Sequence, residues 1–119
     1  MRGPFAFYEA GKLPGKVAAA ASIHGVKLIT EKQDSPHLFS ENVKGELYFG
    51  CAETDSYAPL EMIDALKKHL SATSVDYKIE VFPETHHGFA FPNRGQLYSR
   101  AHAETHWFRI LDLFSRKLK

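Results

Sequence analysis

Two polar side chains follow short apolar segments of the sequence, at places where they could form an acid–base pair. Asp55 comes after the segment 45–50, GELYFG, and His87 comes after the segment 76–83, DYKIEVFP. A carboxylate that accepts a hydrogen bond from an imidazole fixes the ring's tautomer and stabilises the cation formed when the ring takes a proton from a nucleophile. The alternatives are that Asp55 shapes a turn or caps a helix, and that His86 and His87 are ordinary loop residues.

Three other residues of reactive type have structural explanations that we favour. Cys51 lies four residues before Asp55, in the same loop, and is expected to be a small buried apolar side chain. Ser22 lies inside an apolar segment and is expected to pack or to hydrogen-bond to the backbone. His24 ends that segment, where a structural hydrogen bond is favoured over a place in a pocket wall. None of the three is expected to act as a nucleophile.

His102 and His106 are spaced so that they could share one face of a helix and bind a metal ion. The residues between them, AET, do not place a glutamate as the zinc-protease pattern H-E-x-x-H does. We therefore expect a packed helix at this place, and neither a metal nor a cofactor.

The apolar patterns predict an α/β fold with a parallel sheet. Buried or alternating apolar runs indicate strands at 17–24, 45–50 and 76–83, while helical spacing indicates helices at 58–72 and 97–118. The segment 4–10 could add a short helix, and 26–44 is expected to be mostly loop. Crossovers of this length favour parallel strands, whose carboxyl ends lie at one edge of the sheet. Asp55 and His87 would meet there.

Each predicted helix has one apolar face. The first carries Met62, Ile63, Leu66 and Leu70 on that face, and the second carries Ala101, Phe108, Leu111, Phe114 and Leu118. We expect both faces to pack against the sheet.

Composition limits the classes of function. A chain of 119 residues forms one domain at most, and its net charge of +1 gives no electrostatic reason to expect nucleic acid or an anionic membrane as a partner. No apolar run is long enough to span a membrane, and no signal peptide is expected at the N-terminus. Cys51, as the single cysteine, excludes an internal disulfide. A cytoplasmic protein is expected.

Several longer motifs resemble the C-terminal part of the dienelactone hydrolase family. They are AAAASIHG at 18–25, DSPH at 34–37, GELYFGCAETDSYAP at 45–59, VFPETHHGFAFP at 81–92 and AETHWFRILDLF at 103–114. The resemblance covers nearly the whole chain in the family's order. It implies an α/β-hydrolase with a cysteine or serine nucleophile, an aspartate and a histidine, in the chain order nucleophile, acid, base. Asp55 matches that aspartate and His87 that histidine, whereas His86 is a neighbour.

The resemblance begins just after the family's nucleophile. The family sequence M-G-G-x-F-A-F-Y-x-A-G corresponds here to MRGPFAFYEAG at 1–11, with Met1 at the residue that follows the nucleophile. Residues 1–119 are thus expected to form a single partial domain without the family's N-terminal half. The arginine that helps lactone-cleaving members hold a carboxylate would fall near Phe91, which argues against a dienelactone as the substrate.

These observations lead to one expected function and two alternatives. The first is an ester- or lactone-hydrolase fragment that keeps Asp55 and His87 but lacks a nucleophile, and is inactive by itself. The alternatives are an enzyme completed by another chain and a non-catalytic binding or structural module. Because the strand at 17–24 would have an uncharged open edge, we also expect a homodimer or larger homo-oligomer. A small ester or lactone is the expected ligand.

Overall fold

A three-stranded parallel sheet organises the chain in the computed structural model, which describes residues 2–118. The strands are β1 (Ala19–Ile23), β2 (Glu46–Thr54) and β3 (Asp76–His86), in the order β1-β2-β3. The helices are α1 (Gly3–Lys12), α2 (Leu60–Ser71) and α3 (Arg100–Lys117), with short 3-10 helices at Pro36–Asn42 and Pro92–Leu97. The predicted α/β fold with a parallel sheet is confirmed.

The strands β2 and β3 run further than their apolar patterns indicate. Their pairing passes the predicted ends and shifts register between Ala52 and Thr54. At this irregularity Thr85 Oγ1 donates to Phe82 O at 2.6 Å and accepts from the backbone N–H of Glu53 at 3.3 Å. The loops that carry Asp55 and His87 therefore follow directly on hydrogen-bonded strand backbone. This pairing restricts where the first residues of each loop can lie.

Side chains of β2 alternate between two apolar layers, so both faces of the sheet are covered. Leu47, Phe49 and Cys51 belong to the layer that also contains buried residues of α1 and α2. Tyr48 belongs to a second layer with Ile110 and Leu113 of α3. Burial on both faces explains why β2 is apolar over most of its length rather than at alternate positions.

The predicted inward face of α3 is wrong. Phe108 and Leu111 are 63% and 67% exposed, and Ala101 and Leu118 are exposed as well; only Phe114 of the predicted set packs, in part, against the second layer. The buried residues are instead Ala103, His106, Ile110 and Leu113. The ring of His106 lies so close to Gly50 of β2 that a Cβ there would overlap it. Ala103 and His106 are thus among the residues of α3 that face the sheet. The hydrophobicity of the sequence alone does not indicate this face.

Among residues 2–118, no helix combines the length and the apolar character needed to cross a membrane.

Candidate active site

Asp55 and His87 meet at the carboxyl end of the sheet, as predicted. His87 Nδ1 lies 2.7 Å from Asp55 Oδ2. The carboxylate side chain is 1% exposed and the imidazole 27% exposed. Since an ionised carboxylate only accepts hydrogen bonds, Nδ1 carries the proton and Nε2 keeps its lone pair in neutral His87. The pair therefore holds the ring in the tautomer that a general base needs.

The second oxygen of Asp55 fixes the loop that follows β2. Asp55 Oδ1 accepts hydrogen bonds from the backbone N–H groups of Tyr57 at 2.9 Å and Ala58 at 3.2 Å. The turn-forming role and the role as partner of His87 therefore belong to the same side chain, one to each oxygen.

A tight turn after β3 presents His87. Gly88, directly after His87, adopts a positive φ of 95°, and Glu84, near the end of β3, adopts a positive φ of 57°. The backbone N–H of Phe89 donates to His86 O at 3.1 Å and closes the turn. A Cβ at Gly88 would lie 2.7 Å from Nε of the flexible Arg94 side chain, so it is the positive φ that favours glycine here. The turn buries Phe89 and directs the ring of His87 inward, while the neighbouring His86 is exposed.

His87 borders a cavity of about 430 Å³ at the N-terminal end of α1. The cavity is lined in part by Arg2, Gly3, His24, Phe91 and Arg94. The positive end of the α1 dipole lies here, which favours negative charge in the cavity. Among residues 2–118, the lining contains no serine, threonine or cysteine, and no hydroxyl or thiol is hydrogen-bonded to His87.

Cys51 and Ser22, which are not expected to act as nucleophiles, also lie in places that do not suit this role. Cys51 is buried in the apolar layer of α1 and α2, and burial raises the pKa of its thiol to about 12, so it stays protonated. Ser22 is buried against α1, where a Cβ at Gly3 would overlap its Oγ. Within the described part of the chain its Oγ has no hydrogen-bond partner, so the expected backbone hydrogen bond is not found. Ser22 therefore packs where α1 crosses β1.

His102 and His106 do not converge on one point. His102 Nδ1 lies 2.8 Å from Ser99 Oγ, whereas His106 Nδ1 lies 3.4 Å from the hydroxyl of Tyr48 in the core. The described residues contain no group of three histidine, cysteine or carboxylate side chains arranged to hold a metal ion.

Arg94 was not predicted to reach the cavity. The family resemblance places the substrate-binding arginine near Phe91, but the 3-10 helix Pro92–Leu97 turns the chain back and brings Arg94 to the cavity wall. The residues Pro92, Asn93 and Gly95 around it are typical of turns, and they are the feature that could have indicated this reversal.

Comparison with known proteins assigns the family. The sequence profile described as "Dienelactone hydrolase family" matches residues 1–118. The chain belongs to the dienelactone hydrolase family. Met1, which the resemblance aligned with the residue after the nucleophile, lies outside the described residues.

The chain spans about half the length of the relatives it matches. It is 26% identical over 116 residues to Protein usf of Aquifex pyrophilus, covering 98% of this chain and 48% of that protein. A crystal structure provisionally named a dienelactone hydrolase, from Klebsiella pneumoniae, superposes with a TM-score of 0.82 at 21% identity, over 95% of this chain and 48% of that one.

A dienelactone hydrolase-like promiscuous phosphotriesterase from metagenomic libraries has the same fold. It superposes with a TM-score of 0.73 at 17% identity, over 92% of this chain and 45% of that one. These likenesses show that the three strands and flanking helices occur within larger dienelactone hydrolase folds.

Proposed function

We propose that the chain is the acid–base half of an ester or lactone hydrolase of the dienelactone hydrolase family. In this proposal, His87 takes the proton of a nucleophile that lies outside residues 2–118, and Asp55 stabilises the resulting imidazolium. The observation that carries the proposal is the 2.7 Å contact between His87 Nδ1 and Asp55 Oδ2, with the ring beside an open cavity.

The N-terminal end of α1 supports this arrangement. Gly3 lines the cavity together with His87, and α1 begins against β1 at a distance that only glycine permits. A nucleophile placed immediately before α1 would therefore enter the cavity that His87 borders. Negative charge that develops on the substrate there would lie at the positive end of the helix dipole.

The isolated chain is then expected to be inactive. His87 has no nucleophile to activate except water, and each missing oxyanion donor typically lowers the rate by about 10²–10³. We propose a small ester or lactone as the ligand, without a metal or cofactor, and a cytoplasmic location in keeping with the single cysteine.

The test compares two polypeptides in the hydrolysis of p-nitrophenyl acetate. One is the 119-residue chain, and the other is the same chain extended at its N-terminus by the segment encoded immediately upstream. We expect the chain alone to match its His87→Ala variant, and the extended polypeptide to turn over. Turnover by the chain alone that is lost in His87→Ala would reveal another nucleophile. Inactivity of both would contradict the hydrolase proposal and favour a non-catalytic binding module.

We also propose that the chain self-associates through the open edge of β1. In the described residues β1 pairs only with β2, and its alanines carry no charge that would oppose pairing with a second copy. Antiparallel pairing of two such edges would give a two-fold dimer with one continuous sheet. Light scattering at micromolar concentration is expected to report a dimer or larger species. A stable monomer with slow amide hydrogen exchange along 17–24 would contradict this.

A further inference from the structure

His24 occupies an unusual position at the end of β1. It has a positive φ of 40°, a backbone region that residues other than glycine seldom adopt, and its side chain is buried at 3% exposure. Gly25 follows it, and a Cβ there would overlap Ser22 Oγ, so the bend leaves no room for a larger residue. A strained, buried, polar residue beside a candidate site calls for an explanation in terms of that site.

The ring of His24 contacts the turn that carries His87 at several points. Its centroid lies 5.4 Å from that of His87, 4.9 Å from that of Phe89 and 5.3 Å from that of Phe91. The backbone N–H of Ala90 donates to His24 Nε2 at 3.2 Å. His24, at the end of β1, thus contacts residues before and after Gly88 in the turn that follows β3. Strand β2 lies between β1 and β3 in the sheet.

The turn has a second attachment, on α3. Trp107 Nε1 donates to Ala90 O at 3.2 Å, and the backbone N–H of Ser99 donates to Phe89 O at 3.0 Å. These bonds tie the turn to the helix, but neither residue has a ring beside His87. The His24 contacts add an attachment to the end of β1, which lies on the other side of β2 from β3.

We propose that His24 is a positioning residue for His87: it fixes the turn 87–91 from β1 so that the ring of His87 stays within reach of Asp55. The inference uses the pair assigned in the proposed function, but it concerns the placement of that pair and not catalysis.

The chemistry of imidazole suits this role. To accept the N–H of Ala90, Nε2 must hold a lone pair, which places the proton of neutral His24 on Nδ1. Burial, and after it the neighbouring His87, lowers the pKa of His24 to about 4. His24 therefore remains a neutral acceptor at neutral pH, so its hydrogen bond to the turn persists there.

Nuclear magnetic resonance of the ¹⁵N-labelled chain tests the proposal without an activity assay. In the wild type, we expect His24 in the Nδ1–H tautomer and a downfield, slowly exchanging Nδ1–H proton on His87, hydrogen-bonded to Asp55. The variant His24→Phe keeps a ring but removes the acceptor. We expect this His87 proton to exchange with water about five- to tenfold faster, the change that loss of one hydrogen bond produces.

A rescue variant and a matched control separate positioning from general destabilisation. His24→Gln restores an acceptor oxygen and should recover the slow exchange at least in part, whereas His102→Phe makes the same chemical change on α3 and should leave the His87 proton as in the wild type. An unchanged His87 proton in folded His24→Phe would overturn the proposal. So would an Nε2–H tautomer of His24 in the wild type, a result that does not depend on whether any variant folds.

Discussion

A carboxylate lies at each end of strand β2, and the two have different partners. Glu46, at the amino end, forms a two-pronged ion pair with Arg116 at 2.7 and 3.0 Å, and Lys117 lies 3.8 Å away. Asp55, beyond the carboxyl end, contacts His87 and two backbone N–H groups.

The partners explain the difference. Arg116 is permanently charged, and its side chain is 45% exposed while that of Glu46 is 14% exposed, so solvent screens the pair in part. The partner of Asp55 is the imidazole of His87, and the carboxylate side chain itself is 1% exposed. One end of the sheet thus holds an arginine–carboxylate ion pair, and the other holds a hydrogen bond between a carboxylate and an imidazole.

The largest effect on stability is expected at the buried carboxylate. Asp55→Ala removes the acceptor of two backbone N–H groups and the partner of His87, and should lower the free energy of unfolding by about 2–4 kcal/mol. Asp55→Asn keeps an oxygen for the turn and should cost about half as much. Urea unfolding of the two variants measures both values. Equal losses would show that the turn contacts do not matter.

Acid should affect the two ends of the sheet in separate pH ranges. Burial lowers the pKa of both His24 and His106 to about 4, below the ordinary value of 6.5. The unfolded chain therefore binds protons below pH 6.5 that the folded chain does not bind until about pH 4, so the free energy of unfolding falls over that range. The hydrogen bond from Arg116 lowers the pKa of Glu46, whose contribution is present above its ordinary value of 4.5 and is lost only as pH falls further.

Chemical unfolding from pH 7.5 to 3.5 measures this separation. We expect stability to decline between pH 6.5 and 4 in the wild type, and less steeply in His24→Gln, which removes one of the two titrating rings. A free energy of unfolding that stays level down to pH 4.5 would mean that these histidines are not neutral in the folded protein.

The smallest effect is expected at the surface pair. Arg116→Ala should lower stability by about 1 kcal/mol or less, and this loss should shrink further in concentrated salt, since exposed ion pairs are weak and screened. Arg100→Ala, which breaks an exposed pair with Glu104, is the matched control. A loss at Arg116 as large as that of Asp55→Ala would remove the distinction between the two ends.

The proximity of Asp55 and His87 could be predicted from the sequence because parallel topology constrains it, whereas their acid and base roles came from the family resemblance and stay a prediction. Once the strands before Asp55 and His87 are parallel neighbours, their carboxyl ends must lie together. The inward face of α3 was not predictable in this way, since two stripes of that helix have apolar spacing and the choice depends on how closely His106 approaches Gly50.

Contacts that depend on the folded path of a loop also could not be predicted from the sequence. Arg94 reaches the cavity because a 3-10 helix reverses the chain, and His24 contacts Ala90 across two strands. Neither separation along the chain nor residue type indicates such a contact. His24 was noted as a candidate for a structural hydrogen bond, but its partner became apparent only from the fold.

The most direct test of the acid–base assignment compares two adjacent histidines in the N-terminally extended polypeptide. His87 contacts Asp55, whereas its neighbour His86 is exposed. Loss of a general base typically lowers a rate by about 10²–10⁴, so kcat for p-nitrophenyl acetate should fall by at least that lower factor in His87→Ala. His86→Ala should retain the wild-type kcat. Equal effects of the two substitutions, or full activity of His87→Ala, would contradict the assignment.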